Sequence, residues 1–162
     1  MQNTKNPLIF IIEESIIYKD LIIGYLHSKK YDKIKVFKTG EESIKHLHLN
    51  PDIIILDYSG EGMSGLEIMR KVKLTHPKID FIFLSGQNDV EVAISIMKLG
   101  AADYVVKNDK APARLVKAIE QVILESKKEK MNKGFTIGVF GFFVLLLLLI
   151  AGIIFITIVF NF

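Results

Sequence analysis

The sequence contains no cysteine, and that absence alone excludes several kinds of site. None of its 162 residues can form a disulfide, supply a thiolate ligand to a metal or act as a cysteine nucleophile. The amino terminus also lacks a secretory pattern. The segment MQNTKNP is polar and contains a proline, and the apolar run that follows it, Leu8–Ile12, is too short for a signal sequence. We therefore expect no secretory leader.

Most of the chain has no net charge. The formal net charge is +3, but four lysines and one glutamate lie between Lys127 and Gly134, so the residues before Lys127 sum to zero. A broad basic surface for nucleic acid is therefore not expected in residues 1–126. The basic excess belongs to a short segment that precedes an apolar stretch.

That apolar stretch runs from residue 135 to residue 160 without one charged side chain. A helix needs about 20 apolar residues to cross the hydrocarbon core of a bilayer. A buried core helix is disfavoured because the stretch is apolar on every side. We predict a transmembrane helix over 135–160 and a basic juxtamembrane linker over 127–134. Since basic flanks stay on the cytoplasmic side, residues 1–126 should face the cytoplasm.

Short apolar runs alternate with segments of helical period in residues 1–126. The runs have strand length and are continuous, which is typical of strands buried on both faces. The predicted strands are Leu8–Ile12, Ile34–Phe37, Ile53–Leu56, Phe81–Leu84 and Tyr104–Val106. The predicted helices are Ile16–Ser28, Glu41–Leu49, Leu66–Leu74, Asp89–Leu99 and Pro112–Glu125. Five such units predict an α/β fold, a doubly wound parallel sheet with helices on both faces.

Polar side chains end four of the five predicted strands. Glu13 and Glu14 follow the first strand, Asp57 the third, Ser85 the fourth and Lys107 the fifth. Because ligands of open α/β sheets bind at the carboxyl ends of the strands, these groups should converge. Clustered carboxylates favour a hard cation such as Mg²⁺, while a lysine and a hydroxyl stabilise a transferring phosphoryl group. Asp57 could then act as a nucleophile and form an acyl phosphate.

The acidic pair together with ILDYSGEGMSGLE and FIFLSGQNDVEVAISIMKLGAADYVVK resembles the receiver domain of bacterial response regulators over residues 7–125. The resemblance implies a flavodoxin-like (βα)5 sheet of strand order 2-1-3-4-5. It also implies that Asp57 accepts a phosphoryl group from a sensor histidine kinase or a phosphotransfer protein. Such a domain is a signalling module rather than an enzyme. Together with the apolar stretch of 135–160, the resemblance leads us to expect a single-pass protein of a bacterial cytoplasmic membrane.

The resemblance also assigns roles to the other residues at the strand ends. Glu14, Asp57 and the carbonyl of Ser59 would bind Mg²⁺, with Glu13 assisting. Ser85 would donate a hydrogen bond to the phosphoryl oxygens, Lys107 would pair with them, and Tyr104 would be the switch residue that changes rotamer.

The sequence departs from the family pattern at three places close to the predicted site residues. Glu14 stands where the second acid is usually aspartate, Gly60 and Glu61 replace the Met-Pro or Leu-Pro that commonly follows the acceptor, and Asn108 replaces a proline. A pseudo-receiver, an anchored interaction module that works without phosphate, is therefore the alternative. A phosphotransferase or flavin-binding α/β protein fits poorly, because no glycine-rich loop follows the first strand.

Each candidate also has an ordinary interpretation. Asp57 and Ser85 could be turn residues, Glu13 and Glu14 solvated acids at a strand end, and Lys107 an exposed lysine on an edge strand. Tyr104 could serve packing alone.

The fourth predicted helix has two apolar stripes. We assign one stripe to the core, namely Val90, Ala93, Ile94 and Met97, and the other to an outward face, namely Val92, Ile96 and Leu99. An outward apolar stripe favours a partner or a homodimer contact through the fourth helix, fifth strand and fifth helix. Since the predicted segments include no output domain, we expect a protein–protein contact to carry the signal.

Overall fold

Five strands alternate with five helices in the order that the apolar runs predict. The computed structural model describes residues 6–59, 62–86 and 90–160. The strands are β1 (Ile9–Ile12), β2 (Ile34–Phe37), β3 (Ile53–Asp57), β4 (Asp80–Ser85) and β5 (Asp103–Val106). The helices are α1 (Ile16–Ser28), α2 (Gly40–Lys45), α3 (Gly65–Thr75), α4 (Val90–Lys98) and α5 (Ala111–Phe160). The segment predicted as one second helix is α2 followed by a 3₁₀ turn, Leu47–Leu49, and the predicted start of α4 at Asp89 lies outside the described residues.

The five strands form one parallel sheet in the order β2-β1-β3-β4-β5, which confirms the predicted topology. Every residue of β1, and the first four residues of β3, are buried, as expected for strands covered on both faces. Helices α1 and α5 cover one face through Ile22, Leu26 and Leu115, and α2, α3 and α4 cover the other. The strand order reverses between β1 and β3, so their carboxyl ends border the crevice where such sheets bind ligands.

Local signals fix several helix ends. Thr39 and Glu42 have the spacing of a capping box. Thr39 caps α2 by accepting a hydrogen bond from the Glu42 N–H, but the Glu42 carboxylate accepts one from the Lys38 N–H and the box is not closed. Ser64 and Glu67 form a complete capping box at the start of α3, the first helix after Asp57. Gly100 has φ +96° and follows the end of α4, where a glycine commonly terminates a helix.

The predicted rotation of α4 was wrong. Ile96 is 1% exposed and belongs to the core, whereas Val90 is 66%, Ile94 49% and Met97 42% exposed. Val92 packs against the same core as Ile96, and so does Ala93, as predicted. Both stripes are apolar, so periodicity leaves the rotation of the helix undetermined, and the fit against the sheet decides it. The exposed apolar stripe of α4 is therefore Val90, Ile94 and Met97, with Leu99 exposed as predicted.

Helix α5 is continuous from Ala111 to Phe160, with Pro112 in its first turn and no interruption at Gly134. The chain divides into two compact units after Ile123. The first part of α5 packs on the sheet, and the apolar part is long and apolar enough to cross a membrane by length and composition.

Two glycines give a matched test of how tightly α3 approaches the sheet. A Cβ on Gly65 would lie 2.9 Å from side-chain atoms of both Leu56 and Phe83, whereas a Cβ on Gly24 in α1 would meet nothing within 4 Å. We expect Gly65→Ala to reduce the free energy of unfolding by about 1–3 kcal/mol through overpacking. Gly24→Ala should raise it by about 0.5–1 kcal/mol through helix propensity. Thermal unfolding of the full chain in detergent measures both, and equal effects would contradict this packing.

Candidate functional site

An ion-paired triad lies at the carboxyl ends of β1, β3 and β5. The Lys107 Nζ is 2.5 Å from Asp57 Oδ2 and 2.7 Å from Glu13 Oε2. The Glu13 side chain is 1% exposed, and those of Lys107 and Asp57 are each 17% exposed. Three of the predicted site residues are therefore in direct contact, although they come from three different strands.

The second oxygen of each carboxylate is held by the backbone. Glu13 Oε1 accepts a hydrogen bond from the Ser15 N–H at 3.0 Å, and Asp57 Oδ1 accepts one from the Ser59 N–H at 3.1 Å. Ser15 is also the N-cap of α1. These bonds orient both carboxylates, so the ammonium of Lys107 meets acids whose positions are already fixed.

The charge on Lys107 depends on this pairing. Burial disfavours the ammonium, but the hydrogen bonds and charges of Asp57 and Glu13 outweigh burial and raise the pKa of Lys107 above its ordinary value. Lys107 therefore remains a cation at neutral pH. Its ammonium lies beside Asp57, where it could pair with an anionic group bound to that side chain.

Tyr18 is part of this site and was missed by sequence reasoning. The Lys107 Nζ lies 4.9 Å from the centre of the Tyr18 ring, within the range of a cation–π contact. Burial raises the pKa of Tyr18 against the opposing effect of the Lys107 charge. Its hydroxyl is buried and has no hydrogen-bond partner among the described residues. The sequence signal was weak, namely an aromatic residue in the first turn of α1.

Glu41 supports the segment between Asp57 and α3, and no sequence motif indicates it. Its Oε1 accepts a hydrogen bond from the Met63 N–H at 2.8 Å, and this bond is the main cause that lowers the pKa of Glu41. Gly62 has φ +88°, and a Cβ there would lie 2.7 Å from the same Glu41 oxygen. Gly60 and Glu61, where the sequence departs from the family pattern, lie outside the described residues.

The remaining predicted residues lie near the triad. Ser85 is fully buried at the end of β4, and its carbonyl accepts a hydrogen bond from the Lys107 N–H at 2.7 Å. Glu14 is half-buried at the end of β1, and Ser59 is exposed just after β3. The Lys107–Asn108 peptide bond is trans, as are all described peptide bonds, and Lys107 nevertheless reaches Asp57 without the usual proline.

The donor set fits Mg²⁺ in part. Both oxygens of Glu13 are engaged by Ser15 and Lys107, and the described residues contain no group of three or more His, Cys, Asp or Glu side chains placed to hold a metal ion. Mg²⁺, however, is usually bound by only one or two protein carboxylates together with waters and phosphate oxygens. Glu14 and Asp57 are the carboxylates that would meet that requirement, and both oxygens of Asp57 are likewise engaged, by the Ser59 N–H and by Lys107.

An apolar groove of about 370 Å³ lies between α4 and β5. It is lined by the exposed stripe Val90, Ile94 and Met97 and by Tyr104 and Val106 of β5, with Arg114 at its border. Tyr104 is 6% exposed. Since Lys107 directly follows β5, the groove and the ion-paired triad are connected through one short strand.

Comparison with known proteins gives a consistent picture. Residues 9–120 match the family model described as "Response regulator receiver domain". The chain is 35% identical over 91 residues to the uncharacterized transcriptional regulatory protein YesN of Bacillus subtilis, covering 55% of this chain and 24% of YesN. It is 29% identical over 121 residues to the luminescence regulatory protein LuxO of Vibrio campbellii, covering 74% of this chain and 26% of LuxO.

A solved structure shares the fold. The receiver domain of a LuxO repressor protein from Vibrio parahaemolyticus superimposes with a TM-score of 0.70 at 24% identity, covering 78% of this chain and 96% of that domain. The chain spans about a quarter of the length of the two curated relatives.

A double-mutant cycle tests the buried pair. We expect Glu13→Gln and Lys107→Met to show a coupling free energy of about 2 kcal/mol, because Lys107→Met leaves the buried Glu13 carboxylate without its cation, whereas Glu13→Gln leaves Lys107 paired with Asp57. The control cycle uses Asp103→Asn and Arg114→Met, a pair separated by 3.7 Å with Arg114 62% exposed. Its coupling should be about 0–0.5 kcal/mol. Thermal unfolding of the full chain measures both cycles, and equal coupling energies would contradict the buried pair.

Proposed function

The chain belongs to the response regulator receiver domain family, and on that premise we propose that Asp57 accepts a phosphoryl group from a histidine kinase or a phosphotransfer protein. Phosphorylation on an aspartate is general in receiver domains of two-component systems. The observation that carries the proposal is the Lys107 ammonium at 2.5 Å from the Asp57 carboxylate at the end of β3.

The transfer is a substitution at phosphorus. An Asp57 oxygen attacks the phosphorus atom, the P–N bond to the donor histidine breaks, and its electron pair returns to the imidazole nitrogen. The product is an acyl phosphate on Asp57. Lys107 then pairs with the new phosphoryl oxygens, while Glu13 keeps the ammonium in place. Ser85, buried on the neighbouring strand, is the hydroxyl donor to those oxygens in this proposal.

Receiver domains generally bind Mg²⁺ at the phosphorylation site. In this chain Glu14, Asp57 and the Ser59 carbonyl are the groups that would hold it. The ion would neutralise negative charge on the phosphoryl oxygens as they approach the carboxylates of Glu13, Glu14 and Asp57. Assignment of Glu13 to the metal remains a prediction, and its contact with Lys107 favours a positioning role.

The apolar part of α5 supports a membrane anchor. We infer that residues 135–160 span the bacterial cytoplasmic membrane and that the lysines of 127–134 remain on the cytoplasmic side with the receiver domain. Anchoring would raise the effective concentration of the domain near membrane-bound kinases.

The groove between α4 and β5 supports output by contact. In our proposal phosphorylation biases the packing of β5, and Tyr104 and Val106 transmit that bias to the exposed stripe of α4. The receiver then signals by binding a partner or a second copy of the chain, without catalysing a reaction of its own on another substrate.

A phosphodonor assay separates this function from the phosphate-independent alternative. Full chain in detergent is incubated with Mg²⁺ and a small acyl phosphate, and its intact mass is measured. We expect one phosphoryl group on the wild type and none on Asp57→Asn, with the adduct lost when the metal is chelated. An unmodified wild type under all conditions would favour the pseudo-receiver, in which the Lys107–Asp57 ion pair is a permanent structural feature.

Because the chain has no cysteine, single cysteines test the groove as a homodimer contact. Met97→Cys is placed at the groove, and the control Leu74→Cys lies on α3 with Leu74 84% exposed. In membranes we expect oxidative cross-linking of the Met97 variant, several-fold enhanced by the phosphodonor, and little cross-linking of the Leu74 variant. Equal cross-linking of both would argue against a dimer through this face.

A further inference from the structure

The edge of the sheet opposite Asp57 is surrounded by exposed lysines. We call it the amino edge, because all five parallel strands begin there. Lys29, Lys30 and Lys33 lie between α1 and β2, Lys78 lies between α3 and β4, and Lys98 ends α4. All five side chains are exposed. Since five strands at about 4.8 Å spacing make a sheet about 20 Å wide, these lysines border a broad surface.

Acids at the same edge are engaged by the fold. Asp52 Oδ2 accepts a hydrogen bond from the Leu8 N–H at 2.8 Å. Asp103 Oδ1 accepts one from the Tyr104 N–H at 2.7 Å and pairs with Arg114 at 3.7 Å. Asp32 is an exposed acid among the lysines. Asp80, at the start of β4, is half-buried like Asp52 and Asp103. These five lysines and four aspartates sum to a formal charge of +1, and the fully exposed charges among them are the five lysines and Asp32.

Helix dipoles explain only part of this pattern. Lys29 at the end of α1 and Lys98 at the end of α4 are favoured by the partial negative charge of a helix carboxyl terminus. That effect falls off within the last turn, and Lys30, Lys33 and Lys78 lie beyond it. The helix dipole therefore does not explain the positions of these three lysines.

The direction of α5 indicates at which edge of the sheet the chain leaves the first compact unit. The helix begins after the carboxyl end of β5, packs on the sheet through Leu115 and Ile119, and returns to the amino edge, where the first compact unit ends at Ile123. Eleven residues then precede the apolar stretch that starts at Phe135. Even fully extended they span at most about 40 Å, so an anchored domain remains close to the bilayer.

We propose that the amino edge binds anionic lipid headgroups through Lys29, Lys30, Lys33, Lys78 and Lys98. The inference rests on the proposed membrane anchor and adds a second, electrostatic contact to it. Each lysine at an anionic surface contributes about a five-fold preference for the bound state. Binding through this edge turns the opposite edge, with Asp57 and its acidic neighbours, away from the negatively charged lipid and toward a phosphodonor.

The test uses the full chain in nanodiscs, with a fluorophore on a single cysteine and a quencher on the lipid headgroups. Ser28→Cys places the label at the amino edge, and Asp109→Cys places it at the opposite edge; both positions are exposed. We expect quenching of the Ser28 label in discs that contain phosphatidylglycerol. Quenching should fall several-fold in phosphatidylcholine alone and at 1 M salt, where the screening length shrinks to about 3 Å. The Asp109 label should remain unquenched throughout.

Charge reversals identify the lysines responsible. Lys30→Glu with Lys33→Glu should reduce quenching of the Ser28 label at least ten-fold. The matched pair Lys71→Glu with Lys117→Glu changes the net charge equally on exposed positions of α3 and α5 and should leave it unchanged. Equal effects of the two pairs, or equal quenching in both lipids, would overturn the proposal.

Two controls distinguish the amino-edge contact from loss of the anchor and from nucleic-acid binding. A chain that does not co-elute with the nanodisc has lost the proposed anchor, whereas a chain that inserts but shows no lipid-dependent quenching contradicts only the amino-edge contact. If single-stranded DNA displaces the domain at concentrations below those of accessible phosphatidylglycerol, the surface is a nucleic-acid site and the lipid proposal is wrong.

Discussion

The buried Glu13 carboxylate and the Lys107 ammonium form the interaction on which the rest of the site depends. A carboxylate that is 1% exposed carries a desolvation cost of several kcal/mol unless a cation compensates it. Lys107 supplies that cation from the end of β5, across β3 and β4, and thereby fixes the outer strand relative to β1. The same ammonium is directed at Asp57. The packing of the sheet and the proposed phosphoryl transfer therefore depend on one side chain, which the buried acid holds in place.

The triad also provides a physical route from the site to the surface. Lys107 follows β5 directly, and β5 contributes Tyr104 and Val106 to the groove under α4. In the proposed mechanism, phosphorylation of Asp57 alters the pairing of Lys107, and the short strand transmits that change to the groove. On the other side of Asp57, Glu41 accepts a hydrogen bond from the Met63 N–H, two residues before the start of α3.

Much of this arrangement follows from the sequence for a simple reason. Continuous apolar runs predict parallel strands, and parallel strands end at one edge, so polar residues at their ends must converge there. That reasoning correctly gave the parallel sheet and placed Asp57 beside Lys107, while the resemblance to receiver domains gave the strand order. It failed for α4, where two apolar stripes made both rotations equally consistent with the pattern. It also did not identify the ion pair of Glu13 with Lys107, and it missed Tyr18 and Glu41, whose contacts follow no fixed spacing.

Periodicity and composition by themselves determined three features: the α/β class, the edge of the sheet at which the polar strand-end residues lie, and the apolar stretch of 135–160. Each of these depends on the local order of residues along the chain. Only the tertiary structure decided which groups touch. Lys107 meets a carboxylate 50 residues away because β5 and β3 flank β4 in one sheet. The exposed face of α4 was likewise decided by packing against that sheet, since pairing between distant segments and the rotation of a helix leave no periodic trace in the sequence.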